Sequence, residues 1–314
     1  MLTVLTNVLV IFAMIAVGFF ANKIKILPSE SNRYLTNLVL LVTTPCLVID
    51  SMAGRELDAA MRTDTFQVLF GSMVFFIVVP LLCLLFAKLF RHTPEEDIGA
   101  LMVIMTAINT GFMGFPIAKA AFGDHMFFLF VIQNMALNIY IYGIAPIQFS
   151  YHANTGRNLG ALLKAFINPC MIAVAIGFVL LLTGTALPGP VAQFMSSVGN
   201  VTTPVSMFVV GIRLAESSFT SILKNRDLAI ASVFNIVVIP ALTFLGVNWL
   251  PLTTATKVCL IFAASFPCAV ATVSIAGHEH KNDKLTAEGV ALTTTMSLVS
   301  LPLIAAFLSA WYGM

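Results

Sequence analysis

The chain has 314 residues, of which 59% are hydrophobic and only 10% are charged. Soluble domains carry roughly 25% charged residues, so this composition excludes a water-soluble globule and places the chain in a lipid bilayer. The formal net charge of +2 is too small to indicate a nucleic-acid partner. Five scattered cysteines without a Cys-x-x-Cys pair indicate neither a disulfide framework nor a metal site.

Ten apolar runs of membrane-spanning length follow one another along the chain. A spanning helix needs about 20 apolar residues, and short polar connectors separate these runs. No Lys or Arg precedes the first run, so we interpret it as a retained span rather than a secretory signal. We therefore predict an all-α polytopic membrane protein with ten transmembrane helices. The runs centre on residues 4–21, 34–52, 66–87, 98–121, 125–149, 161–182, 192–214, 228–248, 257–277 and 287–311.

Lysine and arginine are distributed unevenly between the connectors. The odd-numbered connectors hold 12 of them and the even-numbered connectors hold 4. Cytoplasmic loops of membrane proteins carry the excess of basic residues. We therefore predict a multi-pass protein of the cell inner (plasma) membrane with both termini on the periplasmic or extracellular side.

Proline positions recur at a nearly constant spacing, which indicates an internal repeat. Three proline pairs share one offset in residue number to within a single position, and a fourth pair has a shorter offset. The pairs are Pro28 with Pro188, Pro80 with Pro240, Pro45 with Pro204, and, at the shorter offset, Pro116 with Pro267. We call the number of positions that separates Pro28 from Pro188 the proline offset.

We predict two repeats of five spans, residues 1–150 and 151–314. The second repeat is inverted because five is odd, as in secondary transporters. The alternative is that membrane helices simply use proline often.

The fourth span is interrupted at bilayer depth by the sequence NTGFMGFP. The polar and helix-breaking residues there are Asn109, Thr110, Gly111, Gly114 and Pro116. Proline removes a backbone donor, glycine weakens a helix, and the backbone groups that are freed cannot face lipid. We therefore predict that this break lines a cavity inside the protein.

The ninth span is interrupted at the matching place, within FAASFPCAVATVS. Its polar and helix-breaking residues are Ser265, Pro267, Cys268 and Thr272. We expect Gly111, Pro116 and Pro267 to be the positions that break the two helices. Interrupted spans at corresponding places in two halves point to the binding site of a transporter, whereas a purely structural pair of kinks is the alternative.

The chemistry of these breaks favours a small organic anion as the substrate. Helix N-termini present free N–H groups to anions, and the Asn109 amide can donate two hydrogen bonds to a carboxylate. Carbonyls at the same breaks suit a coupling cation, so we keep coupling to H⁺ or Na⁺ as alternatives. We predict no cofactor and no metal site.

Two amides of the fifth span, Asn134 and Asn138, lie one helical turn apart on the same helical face. One interpretation is that they line the binding pocket. Interhelical hydrogen bonding is an equally good interpretation, because amides commonly join helices in membranes. Arg213, at the end of the seventh span, is interpreted as a side chain that extends to the membrane surface, with a role as an anion gate as the alternative.

The segments NTGFMGFP, TPVSMFVVGIRLA and FPCAVATVSIA, in this order, resemble the bacterial branch of the auxin efflux carrier family. The resemblance covers essentially the whole chain. It implies the inverted-repeat fold shared with bile acid transporters, with broken fourth and ninth helices that cross at the midplane. It also implies a scaffold and a transport bundle each drawn from both repeats, an elevator-type mechanism and a homodimer through the scaffold helices.

The resemblance also implies that Asn109 contacts the substrate carboxylate. In the ninth span the chain departs from the Pro-Gln-Gly-x-x-Pro pattern of the plant carriers, since Cys268 and Ala269 follow Pro267 and Thr272 replaces the second proline. This departure argues against an aromatic, auxin-like substrate. Bacterial relatives are associated with dicarboxylates such as malate and malonate.

We therefore predict a secondary-active transporter of small mono- or dicarboxylates rather than an enzyme, because no catalytic set is discernible at membrane depth. The alternative is a cation/proton antiporter or sodium-coupled symporter of the same crossed-helix architecture. A proton carrier needs ionisable groups at the midplane, and the fourth, fifth and ninth spans offer no central Asp or Glu.

Overall fold

The computed structural model describes residues 2–55, 58–151, 169–216 and 225–313. Within these ranges every regular element is helical. The connector between the predicted halves and the start of the sixth predicted span, 161–168, lie outside the described residues.

The first half begins with four helices that match the first three predicted spans and the start of the fourth. These are α1 (Leu2–Lys23), α2 (Ser31–Met52, with an internal π-helical turn), α3 (Ala59–Phe86) and α4 (Ile98–Thr106). A helix over Phe115–Ile139 follows, but Gly123 has φ of +82° and ψ of −170°, so the chain turns there. Glycine adopts this backbone conformation without a Cβ clash. The turn separates α5 (115–122) from α6 (124–139), which continues through a π-helical turn to Phe149.

The second half contains seven described helices. The seventh predicted span is formed by two of these helices in succession, and so is the ninth. The helices are α7 (Pro169–Thr183), α8 (Gly189–Gly199), α9 (Thr202–Glu216), α10 (Arg226–Asn248, with an internal π-helical turn), α11 (Thr254–Ala264), α12 (Ala271–His278) and α13 (Asp283–Tyr312).

The protein is an all-helical membrane protein. In the described part of the chain, six helices are long and apolar enough to cross a membrane by length and composition. One of these six, Glu95–Phe149, comprises the fourth and fifth predicted spans together. Shorter apolar helices over Leu9–Lys23, Pro169–Thr183 and Thr254–Ala264 coincide with three further predicted spans.

The helices pack in two groups. In the first group α1 packs along α9, and α2 packs on α7 and α8. In the second group α3 packs on the segment Phe115–Ile139 and on α11, while α10 and α13 both pack on α4. The interrupted helices all belong to the second group, and α1 also contacts helices of that group.

Glycine allows α1 and α9 to approach closely. A Cβ on Gly211 would collide with the carbonyl oxygen of Ile15, and a Cβ on Gly18 would collide with the carbonyl oxygen of Phe208. Small residues at helix crossings are the usual means of close packing within membranes, where the lipid is as apolar as the side chains. The two glycines therefore set the distance between α1 and α9.

Candidate functional site

The fourth span breaks over three residues. Helix α4 ends at Thr106, and Asn109 has φ of −93° and ψ of 57°, which is not helical. The Asn109 carbonyl oxygen accepts hydrogen bonds from the backbone amides of Met113 (3.2 Å) and Gly114 (3.0 Å), so a π-helical turn restarts the helix. Asn109 is therefore the last residue of the break, directly before the helix resumes.

The ninth span breaks over a longer stretch. Helix α11 ends at Ala264 and α12 begins at Ala271. Pro267 lies inside this gap and cannot donate a backbone hydrogen bond. The backbone amide of Cys268 is satisfied instead by the hydroxyl oxygen of Thr293 on α13, at 3.1 Å.

The two breaks bond to each other through their backbones. The amide of Asn109 donates to the carbonyl oxygen of Pro267 at 2.8 Å, and the amide of Ala269 donates to the carbonyl oxygen of Ala107 at 3.3 Å. The proline offset separates Asn109 from Ala269, and it also separates Ala107 from Pro267. The two bonds are therefore reciprocal under the same spacing that relates the prolines.

This spacing corrects the pairing of Pro116 with Pro267. Pro116 lies in the first turn of α5, where a missing N–H costs nothing, whereas Pro267 lies within the gap between α11 and α12. At the proline offset the counterpart of Pro267 is Ala107. As helix-breaking positions, Pro267 and Gly111 lie in non-α segments, but Pro116 does not.

The glycines of the fourth span allow α6 to pack against the break. A Cβ on Gly111 would lie 3.0 Å from the Asn134 side-chain oxygen, and a Cβ on Gly114 would lie 3.0 Å from the Phe130 ring. The Thr110 hydroxyl also donates to the Asn134 side-chain oxygen, at 3.4 Å. These residues therefore join the break to α6.

Other predicted site residues are satisfied within their own segments. The Ser265 hydroxyl donates to the Ile261 carbonyl at 2.8 Å, and the Thr272 hydroxyl donates to the Ala269 carbonyl at 2.6 Å. The Asn138 amide donates to the Asn134 carbonyl at 2.8 Å. Their roles as substrate contacts stay predictions.

A cavity of ≈ 280 Å³ lies beside the first break. Asn109 is the member of the predicted site that lines it. This residue is 4% exposed, and its side-chain nitrogen Nδ2 has no hydrogen-bond partner among the described residues. The other lining residues are Val210, Arg213, Leu214, Glu216, Val270, Lys284, Ala287, Glu288, Val290, Ala291 and Thr294.

A buried amide nitrogen without a partner is costly, since an unsatisfied donor loses about 1–3 kcal/mol. Such a group in a cavity wall is suited to a ligand that supplies the missing acceptor. Arg213 presents a second donor of this kind, because its Nε atom is buried and has no partner within the described ranges. The arrangement can hold an acceptor group such as a carboxylate.

The structure thus places Arg213 in the wall of the cavity, whereas the sequence analysis favoured a position at the membrane surface. It also adds Lys284 and Glu288, which the sequence reasoning missed because it searched for ionisable groups at depth only in the fourth, fifth and ninth spans. A signal was present in the sequence. Among the cavity residues of α13, Lys284, Glu288, Ala291 and Thr294 are three or four positions apart, which is the spacing of one helical face.

Two polar clusters brace the starts of the interrupted helices. Ahead of α4, the Thr93 hydroxyl donates to Asp227 of α10 at 2.9 Å. Ahead of α11, the Thr253 backbone amide donates to the Gln67 side-chain oxygen of α3 at 2.9 Å. The proline offset relates Thr93 to Thr253 and Gln67 to Asp227, so the two clusters occupy corresponding places in the predicted repeats.

Each cluster also contains a histidine. The backbone amide of His92 donates to Asp227 at 2.9 Å. In the other cluster Nε2 of His125 lies 2.9 Å from Oδ2 of Asp64, and Oδ1 of Asp64 accepts from the Thr253 hydroxyl at 2.5 Å. Both clusters therefore rest on an aspartate whose side chain is buried, and each joins elements of both predicted repeats.

Comparison with known proteins identifies the family. A sequence family described as membrane transport protein matches residues 3–157 and again residues 157–305. The chain belongs to this family, the auxin efflux carriers. The two adjacent matches are in keeping with an internal repeat.

Several relatives are similar along nearly their whole length. An uncharacterised transporter of Methanocaldococcus jannaschii is 22% identical over 301 residues, which cover 94% of this chain and 96% of the relative. The uncharacterised transporter YfdV of Escherichia coli is 21% identical over 311 residues, which cover 95% of both chains. An uncharacterised transporter of Methanothermobacter thermautotrophicus is 20% identical over 318 residues, which cover 95% of this chain and 96% of the relative.

Membership of this family settles the broad class. This member of the family is a multi-pass membrane transporter and not an enzyme, and a transported substrate is implied. The resemblance based on the three sequence segments is thereby confirmed.

Proposed function

We propose that this carrier is a secondary-active transporter of small organic anions, and that Asn109 contacts the carboxylate. The observation that carries the proposal is the unpartnered Nδ2 atom of Asn109 in the cavity wall. An amide can donate to a carboxylate without the desolvation penalty that a buried lysine would incur. Arg213 supplies a second unpartnered donor to the same cavity.

The proposed architecture has ten spans in two inverted repeats, residues 1–150 and 151–314. Its support is the reciprocal pair of hydrogen bonds, from Asn109 to Pro267 and from Ala269 to Ala107, whose members are related by the proline offset. A reciprocal pair of this kind is what a local two-fold axis in the membrane plane produces, and the proposed crossing of the breaks lies at that axis.

The proposed mechanism is an elevator-type movement of the second helix group against the first. In this proposal α1, α2 and α7–α9 form the scaffold, and α3–α6 with α10–α13 form the transport bundle. Support comes from the packing, because the interrupted helices and both aspartate clusters lie within the second group. A homodimer through the scaffold helices stays a prediction from the resemblance.

The proposed orientation has both termini outside the inner membrane, from the distribution of basic residues. Two of the charged residues of the cavity, Glu216 and Lys284, adjoin connectors that this distribution assigns to the cytoplasm. In this orientation the cavity opens to the cytoplasm, and Asn109 lies at the end away from the opening.

Uptake into proteoliposomes tests the proposal. Radiolabelled malate and malonate serve as probes, and unlabelled mono- and dicarboxylates, Na⁺ and K⁺ serve as competitors. We expect Asn109→Ala to lower the apparent affinity by roughly 10- to 100-fold, because a hydrogen bond to a charged group contributes about 1.5–3 kcal/mol. The matched control is Asn200→Ala, which changes an exposed amide at the end of α8.

Two results would contradict this proposal. One is uptake by Asn109→Ala that matches that of the wild type. The other is competition by cations only, which would favour the antiporter alternative.

A further inference from the structure

The charged residues of the Asn109 cavity balance one another. Helix α9 contributes Arg213 and Glu216, and α13 contributes Lys284 and Glu288. The formal charges of this lining therefore sum to zero. A site built only to attract anions would carry a net positive charge, so the two acids require a separate explanation.

The four charges are arranged in an outer and an inner pair. Glu216 and Lys284 are exposed, whereas Arg213 and Glu288 are half-buried. On α13 the distance from Lys284 to Glu288 is one turn, about 6 Å, and Thr294 lies about 9 Å further along the cavity. The neighbouring Thr293 bonds to the second break, so the Thr294 end of the cavity is the end at which Asn109 lies.

Water screens the outer pair but screens the inner pair much less. Helix α9 packs against α13, and Arg213 and Glu288 line the same small volume. Two acids share the cavity with Arg213, and Glu288 is the half-buried one, whereas Glu216 is exposed. The Nε atom of Arg213 nevertheless has no partner within the described ranges and stays free for a ligand.

Among the described residues, other charged groups near this end of the neighbouring helices do not line the cavity, and Arg226 of α10 is one of them. Three of these groups bond elsewhere. Lys23 of α1 donates to the Ala215 carbonyl at 2.9 Å. Asp227 of α10 accepts from His92 and Thr93, and Asp97 accepts from Asn282 at 2.8 Å. The groups that act on Glu288 from within the cavity are therefore Arg213, Glu216 and Lys284.

We propose that Glu288 is the proton-carrying group of this transporter, an inference that rests on the proposed anion site. A substrate carboxylate that binds Arg213 and Asn109 places a second negative charge beside Glu288 in a partly desolvated cavity. Two like charges at close range are unfavourable, and one of them is neutralised by protonation. Glu288 takes this proton from water at the cavity mouth, so one carboxylate and one proton are carried together, and both are released on the other side.

The mechanism predicts a measurable coupling. In proteoliposomes with the membrane potential clamped at zero, wild-type protein accumulates malate or malonate in proportion to an imposed pH gradient, about tenfold per pH unit for one proton. Protein-free liposomes provide the background. An imposed Na⁺ gradient at constant pH has no effect.

Glu288→Gln resembles the protonated form permanently. We expect it to exchange labelled malate for unlabelled malate but to lose the response of net accumulation to the pH gradient. At alkaline pH it should bind malate at least as well as the wild type does at acid pH. Glu288→Asp retains the coupling, and Asp283→Asn, which changes an exposed acid of the same helix outside the cavity lining, leaves it unchanged.

The outcomes separate the two proposals. The role of Glu288 is overturned, while anion transport stands, by either of two results. One is accumulation of malate by Glu288→Gln that still depends on the pH gradient. The other is accumulation by the wild type that follows the Na⁺ gradient instead of the pH gradient. Absence of wild-type uptake of malate and malonate, with no binding of either probe, overturns both. If Glu288→Gln does not fold, loss of the gradient response in Glu288→Ala, with thermal unfolding as the check of folding, decides the question in the same way.

Discussion

The backbone amide of Asn109 donates a 2.8 Å hydrogen bond to the carbonyl oxygen of Pro267. This bond fixes the only predicted site residue that lines the cavity to the break of the other predicted repeat. The Asn109 backbone is thereby fully used, and its side chain is left with a nitrogen that has no partner among the described residues. Together with the bond from Ala269 to Ala107, the bond from Asn109 to Pro267 joins the two breaks through their backbones.

Thr293→Val should weaken the second break. The Thr293 hydroxyl oxygen accepts from the Cys268 amide, and its loss leaves a buried donor unsatisfied at a cost of about 1–3 kcal/mol. We expect a lower Tm and a lower uptake rate. The matched control is Thr295→Val on the same helix, because the Thr295 hydroxyl bonds to the carbonyl of Ala291 in its own helix. Equal effects of the two variants would contradict this role of Thr293.

Gly211→Ala should separate α1 from α9. The added Cβ would collide with the Ile15 carbonyl oxygen and lie 2.6 Å from the Phe19 amide nitrogen, and backbone atoms cannot move aside cheaply. We expect a Tm several degrees below that of the wild type, measured in detergent, since overpacking costs roughly 1–3 kcal/mol. Gly246→Ala on α10, where the Cβ meets open space, is the control and should not lower the Tm. A Tm for Gly211→Ala equal to that of the control would show that the helices separate without cost.

Asp227→Ala should destabilise the protein more than Asp124→Ala does. Asp227 is 1% exposed and accepts from the His92 amide and the Thr93 hydroxyl, both at 2.9 Å. Removing it leaves these donors without their acceptor, at about 1–3 kcal/mol for each one that stays buried. Asp124 forms an exposed ion pair with Lys119, and such pairs contribute about 0–1 kcal/mol. Thermal unfolding of both variants tests the difference, and a larger loss for Asp124→Ala would count against the cluster.

Single-cysteine labelling tests the orientation. In a background without the five native cysteines, Glu96→Cys should react with a membrane-impermeant reagent only from the cytoplasmic side. Thr185→Cys, in the exposed connector between α7 and α8, should react only from outside. The expectation follows from the excess of basic residues in the odd-numbered connectors. Reaction of Glu96→Cys from outside would invert the topology.

The segments that break helices could be found from the sequence because proline and glycine act locally. Pro267 and the NTGFMGFP segment disrupt a helix whatever surrounds them, and the breaks lie where they were expected. The pairing of Pro116 with Pro267 failed for the complementary reason. Proline at the start of a helix and proline in a gap look alike in a sequence, and only the backbone shows which is which.

The predicted site residues divide in the same way. Asn109 was selected as an amide beside a helix break, and its side-chain nitrogen has no partner among the described residues. Ser265, Thr272 and Asn138 looked equally suitable, yet each bonds to a carbonyl within about one turn of its own chain. A hydroxyl or amide at membrane depth has this local option, and a sequence does not reveal whether it is taken.

The sequence by itself determined the membrane environment, the apolar segments, the positions of the two breaks and the family, because these depend on composition and on local backbone chemistry. Only the tertiary structure decided which polar groups share a cavity. Arg213 and Glu288 are far apart in the chain and lie on helices whose contact depends on the packing of the whole second half. Both line the Asn109 cavity because α9 and α13 pack together there, and no local sequence pattern encodes that packing.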